Sequence, residues 1–207
     1  MNSKTERFQA QGPAGAIEVL RDQPDGARRG VALIAHPHPL FGGTMDNKVV
    51  QTLARAFVQS GWTALRFNFR GVGASAGAHD EGRGETEDML ALVAAQAAVG
   101  PLALAGFSFG SFVTSRALQG LWPHRSIEKV VLVGTAAARF EVATLPPEAS
   151  DRTLVIHGEL DDTVPLQAVL DWARPQSLPV TVIPGGEHFF HGQLPLLKNL
   201  VLRHLRS

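Results

Sequence analysis

The sequence predicts an α/β protein, with a mainly parallel central sheet covered by helices on both faces. Three observations carry this. Short apolar runs such as Val31–Ala35 and Lys129–Val133 suit strands buried on both sides. Between such runs lie stretches with apolar residues at every third or fourth position, the stripe of a helix packed on a sheet. The two kinds of segment alternate through most of the chain, and parallel strands need such crossover helices.

Taken in order, Arg7–Gln9 and Ala16–Leu20 read as two strands. Gly12, Pro13 and Gly15 between them predict a hairpin. Val31–Ala35 is the next strand. The segment His36-Pro-His-Pro-Leu-Phe-Gly-Gly43 is too rich in proline and glycine for a regular element. Thr44 is then a suitable helix cap. Met45, Val49, Leu53 and Phe57 form the stripe of the helix that follows, and Gly61 ends it. Thr63–Phe69 reads as a strand with Leu65, Phe67 and Phe69 on one face. Arg66 and Asn68 point to the other.

Thr86–Val99 predicts a helix with Met89, Leu92 and Val93 inward, and Leu102–Ala105 a strand. The helix after Ser108 is expected to reach about Leu118, with Gly120 at its end. Lys129–Val133, Thr153–Ile156 and Val180–Ile183 read as strands. Pro165–Ala173 and Leu194–Leu205 read as helices, the latter with Leu197 and Val201 inward. Residues 135–150 have no clear period, and a short helix at the rim of a site is the expectation there.

Composition narrows the function. The 207 residues suit one well-filled core, so a single domain over 1–207 is expected. A formal net charge of zero gives no reason to expect nucleic acid or an anionic membrane as partner. The absence of cysteine excludes disulfides, thiol catalysis and thiolate metal sites. No apolar run reaches the roughly 18 residues of a membrane span. Met1–Arg7 lacks the apolar region of a signal peptide. A cytoplasmic protein is the expectation.

The chemistry is concentrated at Gly106-Phe-Ser-Phe-Gly110, which fits G-x-S-x-G, a serine at a sharp strand-to-helix turn. Glycine is needed on both sides because a Cβ there would collide with the neighbouring backbone. A serine hydroxyl is a weak nucleophile and needs a base, and the base needs an orienting group. Where a serine turn of this kind carries the nucleophile, the order along the chain is serine, acid, histidine. Two strand ends supply candidates: His157-Gly-Glu-Leu-Asp-Asp-Thr-Val-Pro165 and Pro184-Gly-Gly-Glu-His-Phe-Phe-His191. Asp161 competes with Asp162, and His188 with His191. Gly71, Gly73 and Gly77 miss the spacing of a dinucleotide loop. His36, His38, His188 and His191 show no metal-ligand pattern, so no metal and no cofactor are expected.

On these residues the chain resembles the α/β-hydrolase superfamily throughout. It is most similar to small, cap-less hydrolases with H-P-H-P-x-x-G-G, here His36–Gly43, and F-N-F-R-G-V-G, here Phe67–Gly73. The resemblance implies the α/β-hydrolase fold without a substantial cap. Its acid motif, H-G-x-x-D-x-x-V-P, selects Asp161, and its histidine motif, G-x-x-H-F-F, selects His188. With Ser108 these complete a catalytic triad. An oxyanion hole needs two amides aimed at the developing negative charge. The Phe109 amide is one. Pro37 and Pro39 have no N–H to donate, so the expected second donor is Leu40, with Phe41 next. Arg70 and Asp88 are expected to be structural.

The expected function is a serine hydrolase that cleaves carboxylic esters or thioesters through an acyl-enzyme. A small-molecule acyl ester or thioester is the expected partner. A small serine peptidase uses the same machinery, but the elements that grip a peptide terminus are not evident. A non-catalytic binding protein of the same fold would lack a triad member, and none is missing.

Overall fold

The computed structural model describes residues 5–206. The Met1–Lys4 part of the N-terminal segment lies outside them. Eight strands form one sheet: β1 (Thr5–Gly12), β2 (Gly15–Asp22), β3 (Gly30–Ala35), β4 (Trp62–Phe67), β5 (Leu102–Phe107), β6 (Lys129–Val133), β7 (Thr153–Gly158) and β8 (Val180–Ile183). Their order across the sheet is β1-β2-β4-β3-β5-β6-β7-β8. β1 and β2 form the expected antiparallel hairpin, and β2 pairs antiparallel with β4. All pairings from β4 to β8 are parallel.

Five helices cover the sheet: α1 (Lys48–Gln59), α2 (Arg83–Gln96), α3 (Phe109–Leu121), α4 (Leu166–Ala173) and α5 (Leu194–Arg206). α1 and α5 pack on one face, where Val50, Leu53, Phe57, Leu197 and Val201 meet Ile34, Ala64 and Val131. α2, α3 and α4 cover the other, where Met89, Leu92, Val113 and Val169 meet Leu33, Leu65 and Leu104. Both faces of the central strands are therefore dry, which explains their unbroken apolar sequences. Leu65, Phe67 and Phe69 share a face as expected. No helix among the described residues is long and apolar enough to cross a membrane.

Several boundaries differ from the sequence reading, each for a local polar reason. Thr44 does not cap α1. Its hydroxyl accepts the Asp46 amide at 3.2 Å, and Asn47 caps the helix by accepting the Val49 amide at 2.8 Å. Met45 stays outside the helix because its amide donates to Asn68 Oδ1 at 2.9 Å. α2 starts three residues earlier than read, since Glu85 reaches back to accept the Gly82 amide at 2.9 Å. Gly120 lies inside α3, which runs to Leu121. β4 ends at Phe67, because the Asn68 amide turns to Glu18 O and the Phe69 amide to His36 Nε2, both at 2.9 Å.

No cap is present. The interval from Gly134 to Arg152 holds a loop and one short 3-10 turn, Pro147–Arg152. The carboxyl ends of β3, β5, β7 and β8 gather the segments that carry the expected site.

Candidate active site

Ser108 sits between β5 and α3 at φ 56°, ψ −117°. Positive φ in a non-glycine residue is a strained state, costing on the order of 1–3 kcal/mol. The surroundings hold it there. The Ser108 amide donates to Val133 O at 2.8 Å. The Ser111 hydroxyl accepts the Val133 amide at 3.1 Å and donates to Gly106 O at 2.8 Å, tying the elbow to β6. A Cβ on Gly106 would lie 2.3 Å from Gly110 O, and one on Gly110 would lie 2.4 Å from Ala35 O. The two glycines allow α3 to fold back against β5 and β3.

The acid and histidine loops meet by the same device. A Cβ on Gly158 would lie 2.4 Å from Gly186 O, and the Leu160 amide donates to that oxygen at 2.8 Å. This contact brings Asp161 and His188 together. His188 Nδ1 lies 2.7 Å from Asp161 Oδ2, and His188 Nε2 lies 3.1 Å from Ser108 Oγ. The carboxylate can only accept, so Nδ1 carries the proton and Nε2 faces the serine as a base. The ring packs 4.9 Å from Phe107, and the side chain is almost completely buried.

Asp161 is anchored from its other side. Its Oδ1 accepts the Thr163 amide at 3.0 Å and the Val164 amide at 2.7 Å. Burial alone would raise the pKa of this carboxyl. The hydrogen bonds from His188 and the Val164 amide outweigh burial and hold it below its ordinary value. His157, unassigned in the sequence reading, lies buried 3.4 Å from Asp161 Oδ2 and donates from Nε2 to Val164 O at 2.8 Å. Burial keeps it neutral by lowering its pKa.

The competing residues lie elsewhere. Asp162 is exposed and accepts the Thr163 hydroxyl. His191 is exposed, pairs with Glu187, and lines a small cavity of about 200 Å³ behind Phe189. His36 is buried: it donates from Nδ1 to Pro37 O at 2.6 Å and accepts the Phe69 amide at Nε2. No group of three or more His, Cys, Asp or Glu among the described residues is arranged to hold a metal. Arg70 grips Asp88 with two hydrogen bonds of 2.8 and 2.9 Å. Asn68 donates to Glu18 at 2.8 Å. The Phe67–Gly73 segment is thus scaffold around the site. A larger cleft of about 1010 Å³, lined by Asp22, Arg55 and Arg66, contains no triad residue and lies away from this chemistry.

The loop after β3 forms a 3-10 turn at Pro39–Phe41. Both amides singled out there are held within the turn. Leu40 donates to His38 Nδ1 at 3.2 Å and Phe41 to His38 O at 3.1 Å. The His38 amide has no protein partner among the described residues. Neither has the Phe109 amide, which opens α3. The His38 ring lies 4.8 Å from that of Phe109. The sequence reading did not single out His38, although Pro37 and Pro39 leave it the only N–H between them.

No family model matches the chain. The fold recurs in solved structures. A Xanthomonas campestris protein described as an α/β serine hydrolase without a lid is 35% identical. The match covers 100% of this chain and 95% of that one, at a TM-score of 0.87. An α/β serine hydrolase homologue from Coxiella burnetii is 37% identical over 97% of each chain, at a TM-score of 0.82. An uncharacterised Rickettsia prowazekii protein is 31% identical over 193 residues, 86% of this chain and 79% of its own. With a serine, a histidine and an aspartate in one hydrogen-bonded line at the carboxyl end of a lidless sheet, the chain belongs to the α/β serine hydrolases.

Proposed function

We propose that this serine hydrolase cleaves small or medium carboxylic esters or thioesters through an acyl-enzyme. The observation that carries the reading is the line Ser108 Oγ–His188 Nε2–Asp161 Oδ2, with spacings of 3.1 and 2.7 Å, on a strained turn. Ser108 attacks the carbonyl while His188 takes its proton. Asp161 holds the tautomer and stabilises the imidazolium. His188 then protonates the leaving group, and water activated by the same ring releases the acid. The charge on the carbonyl oxygen is taken by the Phe109 amide and a second amide. His38 is the better assignment than Leu40, whose N–H is already engaged. The Gly110 contact supports this, because it seats the elbow against Ala35 and His36. His38 carries the first N–H beyond that contact.

The substrate class follows from the surroundings. Leu40, Phe41, Leu160 and Phe189 are exposed apolar side chains on the three loops around Ser108. An open apolar rim discriminates weakly, at about 1–3 kcal/mol per methylene. A broad acyl preference follows. The test is kcat/KM over p-nitrophenyl esters from C2 to C12, with a thioester series and a dipeptidyl amide alongside. Turnover of esters or thioesters without an interfacial lag supports the reading. Efficient amide cleavage with negligible ester and thioester turnover overturns it in favour of a peptidase.

A further inference from the structure

We propose that His38 and His79 form a recognition subsite beside the nucleophile for a hydroxyl group on an aromatic part of the substrate. The inference deepens the ester reading by naming a substrate class for the same site. Ser108 lies between two phenylalanines with different company. Phe107 packs on His188, whereas the Phe109 ring lies 4.8 Å from His38 and 5.5 Å from His79. The two imidazoles are 4.8 Å apart. The elbow therefore has the triad histidine on one side and a histidine pair on the other.

The protein sets the tautomer of each ring in that pair. The Leu40 amide donates to His38 Nδ1, so the proton of the neutral ring is on Nε2. Burial, and then the neighbouring His79, lower the pKa of His38 and favour that neutral form. His79 Nδ1 lies 2.7 Å from Glu85 Oε1. Glu85 is fully buried and also accepts the Asp80 and Gly82 amides at 3.0 and 2.9 Å. That carboxylate can only accept, so the Nε2 of neutral His79 is an acceptor. Neither Nε2 has a protein partner among the described residues, and neither is sealed from solvent.

The rings that carry this donor and this acceptor are 4.8 Å apart, and a hydroxyl is the small neutral group that answers both with a single oxygen. A carbonyl would satisfy His38 alone. A carboxylate would bring like charge towards buried Glu85. The rings of Phe41 and Phe140, 4.8 and 5.8 Å from His38, provide flat apolar company. The fitting group is therefore a phenol.

The test compares methyl 3-(4-hydroxyphenyl)propanoate with methyl 3-phenylpropanoate. The native protein should prefer the hydroxylated ester about tenfold in kcat/KM, the scale of a solvent-accessible hydrogen bond. That ratio should fall to near one in His79→Phe and in His38→Phe, with phosphonate labelling of Ser108 reporting that each variant is folded. A native ratio near one, or a ratio that survives both substitutions, overturns the subsite. A second arm does not depend on turnover. In isotope-labelled Ser108→Ala protein, 4-methylphenol should shift the ring signals of His38 and His79, and toluene should not. Unmoved signals, or equal shifts with toluene, overturn the subsite. If neither ester is turned over and no phosphonate adduct forms, the ester reading fails, and the 4-methylphenol titration alone decides the subsite.

Discussion

Ser108 and His188 are 80 residues apart in the chain, yet their Oγ and Nε2 atoms lie 3.1 Å from each other. Two glycine contacts, Gly106 on Gly110 and Gly158 on Gly186, make that approach sterically possible. A serine-directed phosphonate should therefore add once to the native chain, at Ser108. Intact mass spectrometry should find no adduct on Ser108→Ala, and an adduct there would mean that another residue is the nucleophile.

Removing either partner of Ser108 should cripple turnover while their neighbours are spared. His188→Ala and Asp161→Ala should each lower kcat by roughly 10³-fold or more. Asp162→Ala and His191→Ala should lose far less, since both side chains are exposed and point to other partners. Steady-state kinetics on the four folded variants checks this. Equal losses for the two histidines would leave the base unassigned.

The second oxyanion donor proposed at His38 can be removed at the backbone. His38 has φ −54° and ψ 123°, which a proline ring accommodates. His38→Pro removes the N–H, while His38→Ala keeps it. The proline variant should have kcat about 10²–10³-fold below that of the alanine variant, the scale for one lost oxyanion donor. Similar kcat values in the two variants would return the role to another amide.

Adding a single methyl group at the elbow should be costly. Gly106→Ala forces a carbon to within 2.3 Å of Gly110 O, and backbone cannot yield there as a flexible side chain would. Overpacking of this kind costs about 1–3 kcal/mol, and the displaced elbow should also lose activity. Thermal melting and phosphonate labelling rates together would reveal a site more tolerant than the geometry implies.

Acid should destabilise the fold before its carboxylates titrate. His36 is buried, and burial pushes its pKa from 6.5 down to about 4. In the unfolded chain it titrates near 6.5, so between these values the unfolded state binds more protons. Unfolding free energy therefore rises with pH across this window. The stabilisation is whole above 6.5 and is lost as pH falls towards about 4, by up to ~1.4 kcal/mol per pH unit for each such group. His204, lowered to about 4 chiefly by burial, acts in the same direction. Urea melts at pH 7.5 and 5 should show the loss. A His36 ring signal that titrates near 6.5 in the folded protein would contradict it.

The sequence by itself placed the strands, the helices and the serine turn, while the choice of Asp161 over Asp162 and of His188 over His191 came from the resemblance to known hydrolases. Val31–Ala35 or Met89-Leu92-Val93 carry their burial in their spacing, so the elements are legible wherever a whole face packs. Gly106 and Gly110 are legible for a related reason: only one residue type fits. What the tertiary structure alone decided are pairings of single polar atoms between distant segments. Asn68 draws Met45 out of α1, and Glu85 draws α2 three residues back. Leu40 spends its amide on His38, which leaves the His38 amide open. His79 stands 5.5 Å from Phe109 at the elbow because Glu85 holds it there. A hydrogen bond between two residues depends on where the whole chain places both ends. No local window of sequence contains that distance, whereas periodic burial is written into every turn of a helix and every pair of strand residues.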